Sequence, residues 1–153
     1  SKPIEIETII DIVTMSLGIK VDSNILKCNL IEGKYVTYYI DILYNILSNS
    51  IRYSGLEVDL ISILINCEPT SSGLKIKIKK NYKYNSKFES DNAEIKKYEN
   101  IYESEKTLEK LINQGNTGYF KIQKIISEDL NMNYNCSLKY NTQSEFETIL
   151  EIY

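Results

Sequence analysis

The sequence predicts an α+β fold, a two-layer sandwich with helices on one face of a mixed, largely antiparallel sheet. Three segments carry apolar residues at helical spacing, and two pairs of short strand-like segments flank turn residues. One pair is "LISILIN" and "LKIKIKK" around "EPTSSG", and the other is "YNCSLKY" and "FETILEIY" around "NTQS". A chain of 153 residues with these elements is sized for a single domain, residues 1–153, with one core.

The N-terminal part is predicted to begin with an amphipathic helix. In "IEIETIIDIVTMSL", residues 4–17, apolar residues recur every three or four positions, and Pro3 suits the first turn of a helix. Short extended segments are expected at residues 19–21 and 25–31, before the turn "EGK". The second helix, residues 35–53, has such a broad apolar surface that we expect it to be largely covered.

After the second helix, Gly55 predicts a stop and a strand follows. The apolar residues expected in that strand are Val58, Leu60, Ile63 and Ile65. In "LKIKIKK", apolar residues alternate with lysines, which predicts a strand with one buried face and one wet face.

Residues 81–114 are the least core-like part of the chain, and the lid-like segment expected there covers residues 85–114. A polar, tyrosine-rich stretch, "NYKYNSKFESDNAEIKKYEN", precedes the charged and helix-prone "ESEKTLEKLINQ". We expect a lid-like segment without a core strand. The next stretch, "QGNTGYFKIQKIISEDL", predicts a tight glycine loop that leads into the last helix.

The predicted core combines one apolar face of each helix with the inward-facing residues of the strands. We expect it to lie between the helices and one face of the sheet. Its members are Ile6, Ile10, Val13, Val36, Ile40, Leu43, Leu47, Val58, Leu60, Ile76, Ile78, Ile122, Ile126 and Phe146.

Composition and charge exclude several classes of function. A net charge of -3 gives no electrostatic footprint for nucleic acid. No apolar run reaches the about 18 residues of a membrane span, so we expect no membrane insertion and a cytoplasmic location. The absence of histidine excludes histidine-dependent triads, most zinc sites and an imidazole phosphoacceptor. The cysteines, Cys28, Cys67 and Cys136, lack metal-ligand spacing and are expected to be buried free thiols.

Two asparagines lie one helical turn apart in the second helix. Asn45 and Asn49 interrupt the apolar stretch "ILYNILSNSIRYSG". Asparagine is a mediocre helix former, and a partly buried carboxamide costs free energy unless it finds partners. Either a ligand or neighbouring backbone must therefore satisfy these side chains.

Two segments carry a resemblance to a known family. "YNILSNSIRYS" is similar to the asparagine box of the GHKL superfamily, usually N-L-L-x-N-A-x-K-Y/F-S/T, and "NTGYFKIQKII" resembles its second glycine box, usually G-L-G-L-x-I-V-K-K-I. The order of elements also resembles that superfamily's Bergerat ATP-binding fold, in particular the catalytic domain of sensor histidine kinases. The resemblance extends from Pro3 to Tyr153.

The resemblance implies ATP and magnesium as cofactors. Asn49 matches the asparagine that holds the magnesium ion bridging the triphosphate, and Asn45 matches the first position of the same box. Arg52 and Tyr53 correspond to the basic and aromatic residues on the next turn. The phosphate-binding loop implied by the second box comprises Gly115, Asn116, Thr117 and Gly118.

The sequence departs from the family's pattern at the adenine site. The first glycine box, D-x-G-x-G, follows the strand matched by "LKIKIKK", and its aspartate accepts the adenine amino group. This chain has "KKNYKYN" there, with Lys79 or Lys80 and no glycine. The nearest acidic candidate is Asp91 in "DNAEI". In the second box Asn116 replaces a glycine, although asparagine tolerates left-handed φ.

Two hypotheses follow from the resemblance and from the positions at which the sequence departs from the family's pattern, and a third sets the resemblance aside. The first is a divergent domain with impaired or lost ATP binding, which acts as a protein-interaction or signalling module similar to phosphotransfer adaptors. Its partner would be another protein, another domain or a second copy. The alternative is a functional Mg-ATP-binding domain of a sensor-kinase-like protein whose phosphoacceptor lies elsewhere. An unrelated α+β domain is the third hypothesis.

Neither autokinase activity nor ATP hydrolysis by this chain alone is expected, and no catalytic residue is assigned. Hydrolysing relatives have a glutamate base where Asn45 stands, and an amide cannot take a proton from water. A chain without histidine cannot phosphorylate itself as a histidine kinase. The thirteen tyrosines fit a protein-contact surface, or the codon use of an AT-rich genome. We expect the domain to belong to a longer polypeptide or assembly.

Overall fold

The computed structural model of the chain describes residues 2–25, 30–99 and 117–153. Its helices are α1 (Ile6–Leu17), α2 (Val36–Arg52), α3 (Phe88–Glu99) and α4 (Thr117–Lys124), which continues as a π-helical turn over Ile125–Asp129. Its strands are β1 (Ile4–Glu5), β2 (Asp22–Ile25), β3 (Leu30–Ile31), β4 (Ile63–Pro69), β5 (Leu74–Asn81), β6 (Tyr134–Thr142) and β7 (Glu145–Ile152). In these described ranges no helix is long and apolar enough to cross a membrane.

The main sheet contains five strands in the order β2-β4-β5-β7-β6. Strand β2 runs parallel to β4, whereas the other neighbouring pairs are antiparallel. Both predicted hairpins, β4 with β5 and β6 with β7, are present. The two remaining strands, β1 and β3, pair separately. The predicted mixed, largely antiparallel sheet is therefore confirmed.

Helix α2 is central to the layer that covers the sheet. Both α1 and α4 pack against it, and Leu43 and Leu47 on its inner side are fully buried. The strands meet this layer with alternate residues, among them Ile65, Ile76 and Ile78. Each such side chain contributes about 1.5–3 kcal/mol on burial. The core therefore lies where it was predicted, between the helices and one sheet face.

Most of the predicted core residues are buried. The confirmed members are Ile6, Ile10, Val13, Val36, Leu43, Leu47, Ile76, Ile78, Ile122 and Ile126. Ile40 and Phe146 are only half-buried, because each lies at the margin of its element's inner face.

Val58 and Leu60 were wrongly predicted to be core residues of a strand. They lie in a 3-10 turn with 53% and 63% of their surfaces exposed, and β4 begins only at Ile63. Residues on one face of a strand recur at every second position. Val58 and Leu60 are out of phase with Ile63 and Ile65, so one continuous strand could not bury all four.

The N-terminal elements differ from the prediction by a few residues. Helix α1 begins at Ile6 because Ile4–Glu5 pairs with β3 as a short strand. It ends at Gly18, whose φ of 65° lets its backbone N–H reach the last carbonyls of the helix. The first extended segment is Asp22–Ile25 rather than residues 19–21. In the second, Leu30–Ile31 form β3, and residues 26–29 lie outside the described residues.

The predicted lid-like segment contains a helix that sequence periodicity did not reveal. Helix α3 is polar with a weak apolar face, and a polar contact holds it to β6. The Asn92 carboxamide donates to the Tyr140 carbonyl oxygen at 2.8 Å and accepts from the Tyr140 N–H at 2.7 Å. Residues 100–114 of the segment lie outside the part of the chain that the structure describes.

The second face of the sheet is polar, as the alternation in "LKIKIKK" predicts. Lys77 and Lys139 place their Nζ atoms 3.9 and 3.4 Å from the carboxylate of Glu147. These long side chains cover Glu147, which is only 3% exposed. Because the lysine and glutamate charges on this face offset one another, the face is polar and hydrated rather than apolar.

We predict that the backbone amides of residues 85–99 exchange hydrogen faster than those of β4. The reason is that α3 is held by polar contacts, whereas β4 buries Ile63, Ile65 and Cys67 between two neighbouring strands. Hydrogen exchange followed by mass spectrometry on the whole chain measures both segments together. Equal protection of α3 and β4 would contradict the lid assignment.

Candidate functional site

The candidate site lies at the C-terminal end of α2, where β5 also ends. The Lys80 Nζ donates to the Ser50 carbonyl oxygen at 3.3 Å, and the Lys83 N–H donates to the Ser54 carbonyl oxygen at 2.8 Å. Gly55 has a φ of 71°, and a Cβ at this position would lie 2.9 Å from the Lys83 Cβ. The end of β5 and the residues after it are therefore held directly against the end of α2.

Lys80 is a buried amine that caps α2. It is 7% exposed, and its burial lowers the pKa from 10.5 to about 8. Its Nζ lies 5.4 Å from the ring centroid of Tyr82 and 5.3 Å from that of Phe146. The last carbonyls of a helix lack helical donors, and the negative end of the helix dipole favours a cation. Ser50 is such a carbonyl, so Lys80 satisfies both needs.

Of the two lysines that the sequence leaves open, Lys80 is the one that faces α2. Side chains alternate along β5, and Lys80 is in phase with buried Ile76 and Ile78. Lys79 is instead paired in register with Glu147 on the polar face. The alternation in "LKIKIKK" already contains this signal, because position 80 continues the apolar phase.

The two rings beside the Lys80 amine, those of Tyr82 and Phe146, both contact a third ring, that of Tyr140. Tyr82 and Tyr140 meet edge to face with centroids 5.2 Å apart, and Tyr140 meets Phe146 in the same way at 4.9 Å. Burial and the hydrogen bond with Tyr82 raise the pKa of the Tyr140 hydroxyl above its usual value. We call Lys80, Tyr82, Tyr140 and Phe146 the Lys80 cluster.

The two asparagines of α2 differ in their partners. Asn45 donates its amide to the Asp41 carbonyl oxygen at 2.7 Å, so its own helix satisfies it. The Asn49 Nδ2 is buried and has no hydrogen-bond partner among the residues that the structure describes. The only comparable atom in the described residues is the Gln123 Oε1 on α4, and the two do not bond to each other. An unpaired buried donor costs about 1–3 kcal/mol, which an acceptor from outside the chain would recover.

The other predicted site residues lie as follows. Arg52 is exposed in the last turn of α2, with its guanidinium 5.9 Å from the Tyr53 ring. Asp91 lies in α3, which packs against β6, and its carboxylate accepts from the Asn85 amide at 2.8 Å. Thr117 and Gly118 open α4 with only their backbone described, and Gly115 and Asn116 lie outside the described residues.

The described residues at the end of α2 include few of the side-chain ligands that magnesium prefers. Magnesium is held by oxygen ligands, commonly carboxylates, and the described ranges contain no group of three or more metal-binding side chains. The Asn49 carboxamide carries one oxygen of this kind beside its unpaired nitrogen. The group that faces α2 from β5 is the Lys80 ammonium, which cannot accept a hydrogen bond.

Sequence reasoning missed two asparagines that fix the loops near the site. Asn81 accepts from the Ser62 N–H at 2.8 Å and donates to the Leu60 carbonyl oxygen at 2.7 Å, which holds the turn before β4 to the end of β5. Asn92 binds Tyr140 in the same two-bonded manner. Contacts of this kind join distant segments and leave no periodic signal.

Comparison by sequence finds no matching protein family and no matching curated protein. Comparison of the fold finds histidine kinases. The catalytic domain of histidine kinase ThkA, in a nucleotide-free form, matches with a TM-score of 0.59 and 16% identity, over 99% of this chain and 93% of that chain. The histidine kinase domain of the blue-light activated kinase from Erythrobacter litoralis EL346 matches with a TM-score of 0.56 and 10% identity, over 93% of this chain.

A further match is full-length ShkA in complex with AMPPNP, with a TM-score of 0.57 and 13% identity over 99% of this chain. The chain spans 59% of the Erythrobacter kinase domain and 30% of ShkA. The chain thus has the fold of the catalytic domains of histidine kinases, as the order of its elements predicted.

Proposed function

We propose that this chain, with the fold of a histidine-kinase ATP-binding domain, has impaired or lost ATP binding and acts as a protein-interaction or signalling module. The observation that supports this proposal is the Lys80 amine at the end of α2, 3.3 Å from the Ser50 carbonyl oxygen. In the domains that the chain resembles, an aspartate after the same strand accepts the adenine amino group. Lys80 would instead present a hydrogen-bond donor to the adenine amino group, which is itself a donor.

Replacing an acceptor by a donor at the adenine site weakens binding. A polar group that is buried without its hydrogen-bond partner costs about 1–3 kcal/mol. The adenine amino group would have no acceptor from Lys80, and the ammonium would have to leave the Ser50 carbonyl. Tyr82 also stands in the stretch where the family has glycines, and its ring contributes to the Lys80 cluster.

The partner would be another protein, another domain or a second copy of the chain, in the manner of a phosphotransfer adaptor located in the cytoplasm. The chain has no histidine, so any phosphoaccepting histidine must lie outside it. Aromatic side chains available for contact include Tyr44, Tyr84 and Tyr153, which are 44%, 69% and 37% exposed.

The alternative function is Mg-ATP binding for a sensor-kinase-like protein whose phosphoacceptor lies on another domain or chain. Two observations favour it. The Asn49 amide is buried without a partner, and the fold matches ShkA, which was solved with AMPPNP. In this case Asn49 would hold the magnesium, Asp91 would have to replace the adenine aspartate, and residues 115–118 would cradle the phosphates.

Thermal unfolding with ATP and magnesium separates the two functions. A ligand at a hundredfold excess over its Kd stabilises the folded state by about 2.7 kcal/mol. We expect no such rise for the wild type, with a Kd no better than about a millimolar. The matched variants are Asn49→Ala and Asn135→Ala, which replaces an exposed asparagine of β6. A rise in Tm that is lost in Asn49→Ala and kept in Asn135→Ala would establish the alternative.

A further inference from the structure

The polar face of the sheet carries a row of positive charges beside a row that is mainly negative. Strand β5 places three lysines on this face, and the neighbouring strand β7 places two glutamates and one isoleucine there. The register of the two strands pairs them as Lys75 with Glu151, Lys77 with Ile149, and Lys79 with Glu147. The two rows therefore match in position and differ in charge.

Some of these charges are not balanced within the chain. The Lys75 Nζ lies 3.9 Å from the Glu68 carboxylate, which is beyond hydrogen-bond distance. Among the described residues, neither Glu151 nor Lys79 takes part in an ion pair. The side chains of Lys75 and Lys77 are 35% and 36% exposed. The polar face therefore offers charged groups that a neighbouring molecule can reach.

A second copy of the chain presents the complementary pattern of charge. Two sheets that pack face to face lie about 10 Å apart, and in a two-fold dimer each copy uses the same surface. An axis parallel to the strands, midway between β5 and β7, places β7 of the second copy over β5 of the first, and β5 over β7. Positions that share a register within one chain then face each other across the interface.

This arrangement joins opposite charges and places no like charges directly opposite each other. Lys75 faces the partner's Glu151, and Lys79 faces the partner's Glu147. At the centre, the aliphatic stem of Lys77 lies over the partner's Ile149. On the outer strands, β4 faces the partner's β6, and again no two like charges meet. Each of these contacts occurs twice because of the two-fold symmetry.

We propose that the chain forms a two-fold dimer through the polar face of its sheet, with the lysine row of each copy against the glutamate-bearing row of the other. This inference deepens the proposed function, on which it rests, because it names a second copy as the partner and gives the surface that binds it. Exposed ion pairs contribute only about 0.2–1 kcal/mol each, so we expect a weak dimer that salt weakens further.

The test is sedimentation velocity of the whole chain over a range of protein concentrations, at about 0.05 and 0.5 M sodium chloride. We expect dimerisation that depends on concentration, with a larger Kd at the higher salt concentration. Two variants, Lys75→Glu and Glu151→Lys, each create two contacts between like charges in the dimer, so each should raise the Kd at least about tenfold. If a charge reversal does not fold, Lys75→Gln and Glu151→Gln remove the same contacts and should also raise the Kd.

A mixture of the two charge-reversal variants gives the sharpest result. Position 75 of one copy and position 151 of the other then carry opposite charges again, and the two unsubstituted positions attract each other as in the wild type. The mixture should therefore restore a dimer that contains one copy of each variant, which native mass spectrometry identifies when one variant is labelled with nitrogen-15. The matched controls, Lys124→Glu and Glu128→Lys, change exposed charges in the helical layer and should leave the Kd unchanged.

Three results would overturn this dimer: a monomer at every concentration, a dimer that both charge-reversal variants retain, or a mixture that stays monomeric. None of these results measures ATP binding, so each leaves the loss of ATP binding to its own test. A rise in Tm with Mg-ATP that requires Asn49 would instead contradict the proposed function, whatever the oligomeric state.

Discussion

Truncation of Leu43 to alanine is expected to lower the free energy of unfolding by about 2–5 kcal/mol. Leu43 is 0% exposed on the inner side of α2, the helix against which α1 and α4 pack. The substitution removes apolar contacts and leaves a cavity that surrounding helices can only partly fill. Urea denaturation monitored by circular dichroism gives the change in stability.

The control for this variant is Leu60→Ala. Leu60 has the same side chain but is 63% exposed in the turn before β4, so its truncation should change stability by no more than about 0.5 kcal/mol. A loss below about 0.5 kcal/mol for Leu43→Ala would mean that α2 is not part of the core.

The second large effect is a rise in stability between pH 8 and pH 10. The pKa of Lys80 is about 8 in the folded chain and 10.5 when exposed, so between these values the unfolded chain binds more protons. Stability therefore increases with pH in this window, by up to about 3 kcal/mol. Above pH 10 the stability falls again. Burial raises the pKa of Tyr134 to about 12, so this tyrosine loses its proton at a lower pH in the unfolded chain than in the folded chain.

Urea denaturation at pH 7.5, 8.5 and 9.5 measures the free energy of unfolding across this pH range. Lys80→Met should abolish the rise, whereas Lys79→Met, on the polar face of β5, should retain it. If wild-type stability is flat or falls over this range, or if Lys80→Met shows the same rise, Lys80 is not a buried charged amine.

Elements with strong periodicity could be predicted from the sequence, and those held by single polar contacts could not. The apolar face of α2 and the alternation in β5 determined both the type and the inward face of each element, because burial depends on repeated spacing. Helix α3 lacks such a face and was missed. The prediction that Val58 and Leu60 belong to the strand was wrong, because their even-numbered positions are out of phase with the buried residues that begin at Ile63.

The candidate site was predicted less completely. The asparagine motif led to α2, yet the different environments of Asn45 and Asn49 depend on neighbours that are distant in sequence. Lys80 could have been identified from its phase in β5, but the acceptor that it finds, the Ser50 carbonyl, comes from another element. Tertiary contacts of this type are fixed by how elements pack, which local patterns do not encode.

The two-bonded contact between Asn92 and Tyr140 also bears on self-association. Strand β6 is the outermost strand of the sheet, and the backbone groups of an outermost strand are a template for pairing with a strand from another molecule. A carboxamide carries the same donor and acceptor as a peptide group, so Asn92 occupies at Tyr140 the place that an added strand would take. Growth of the sheet past this point, as in fibril formation, requires α3 to detach first.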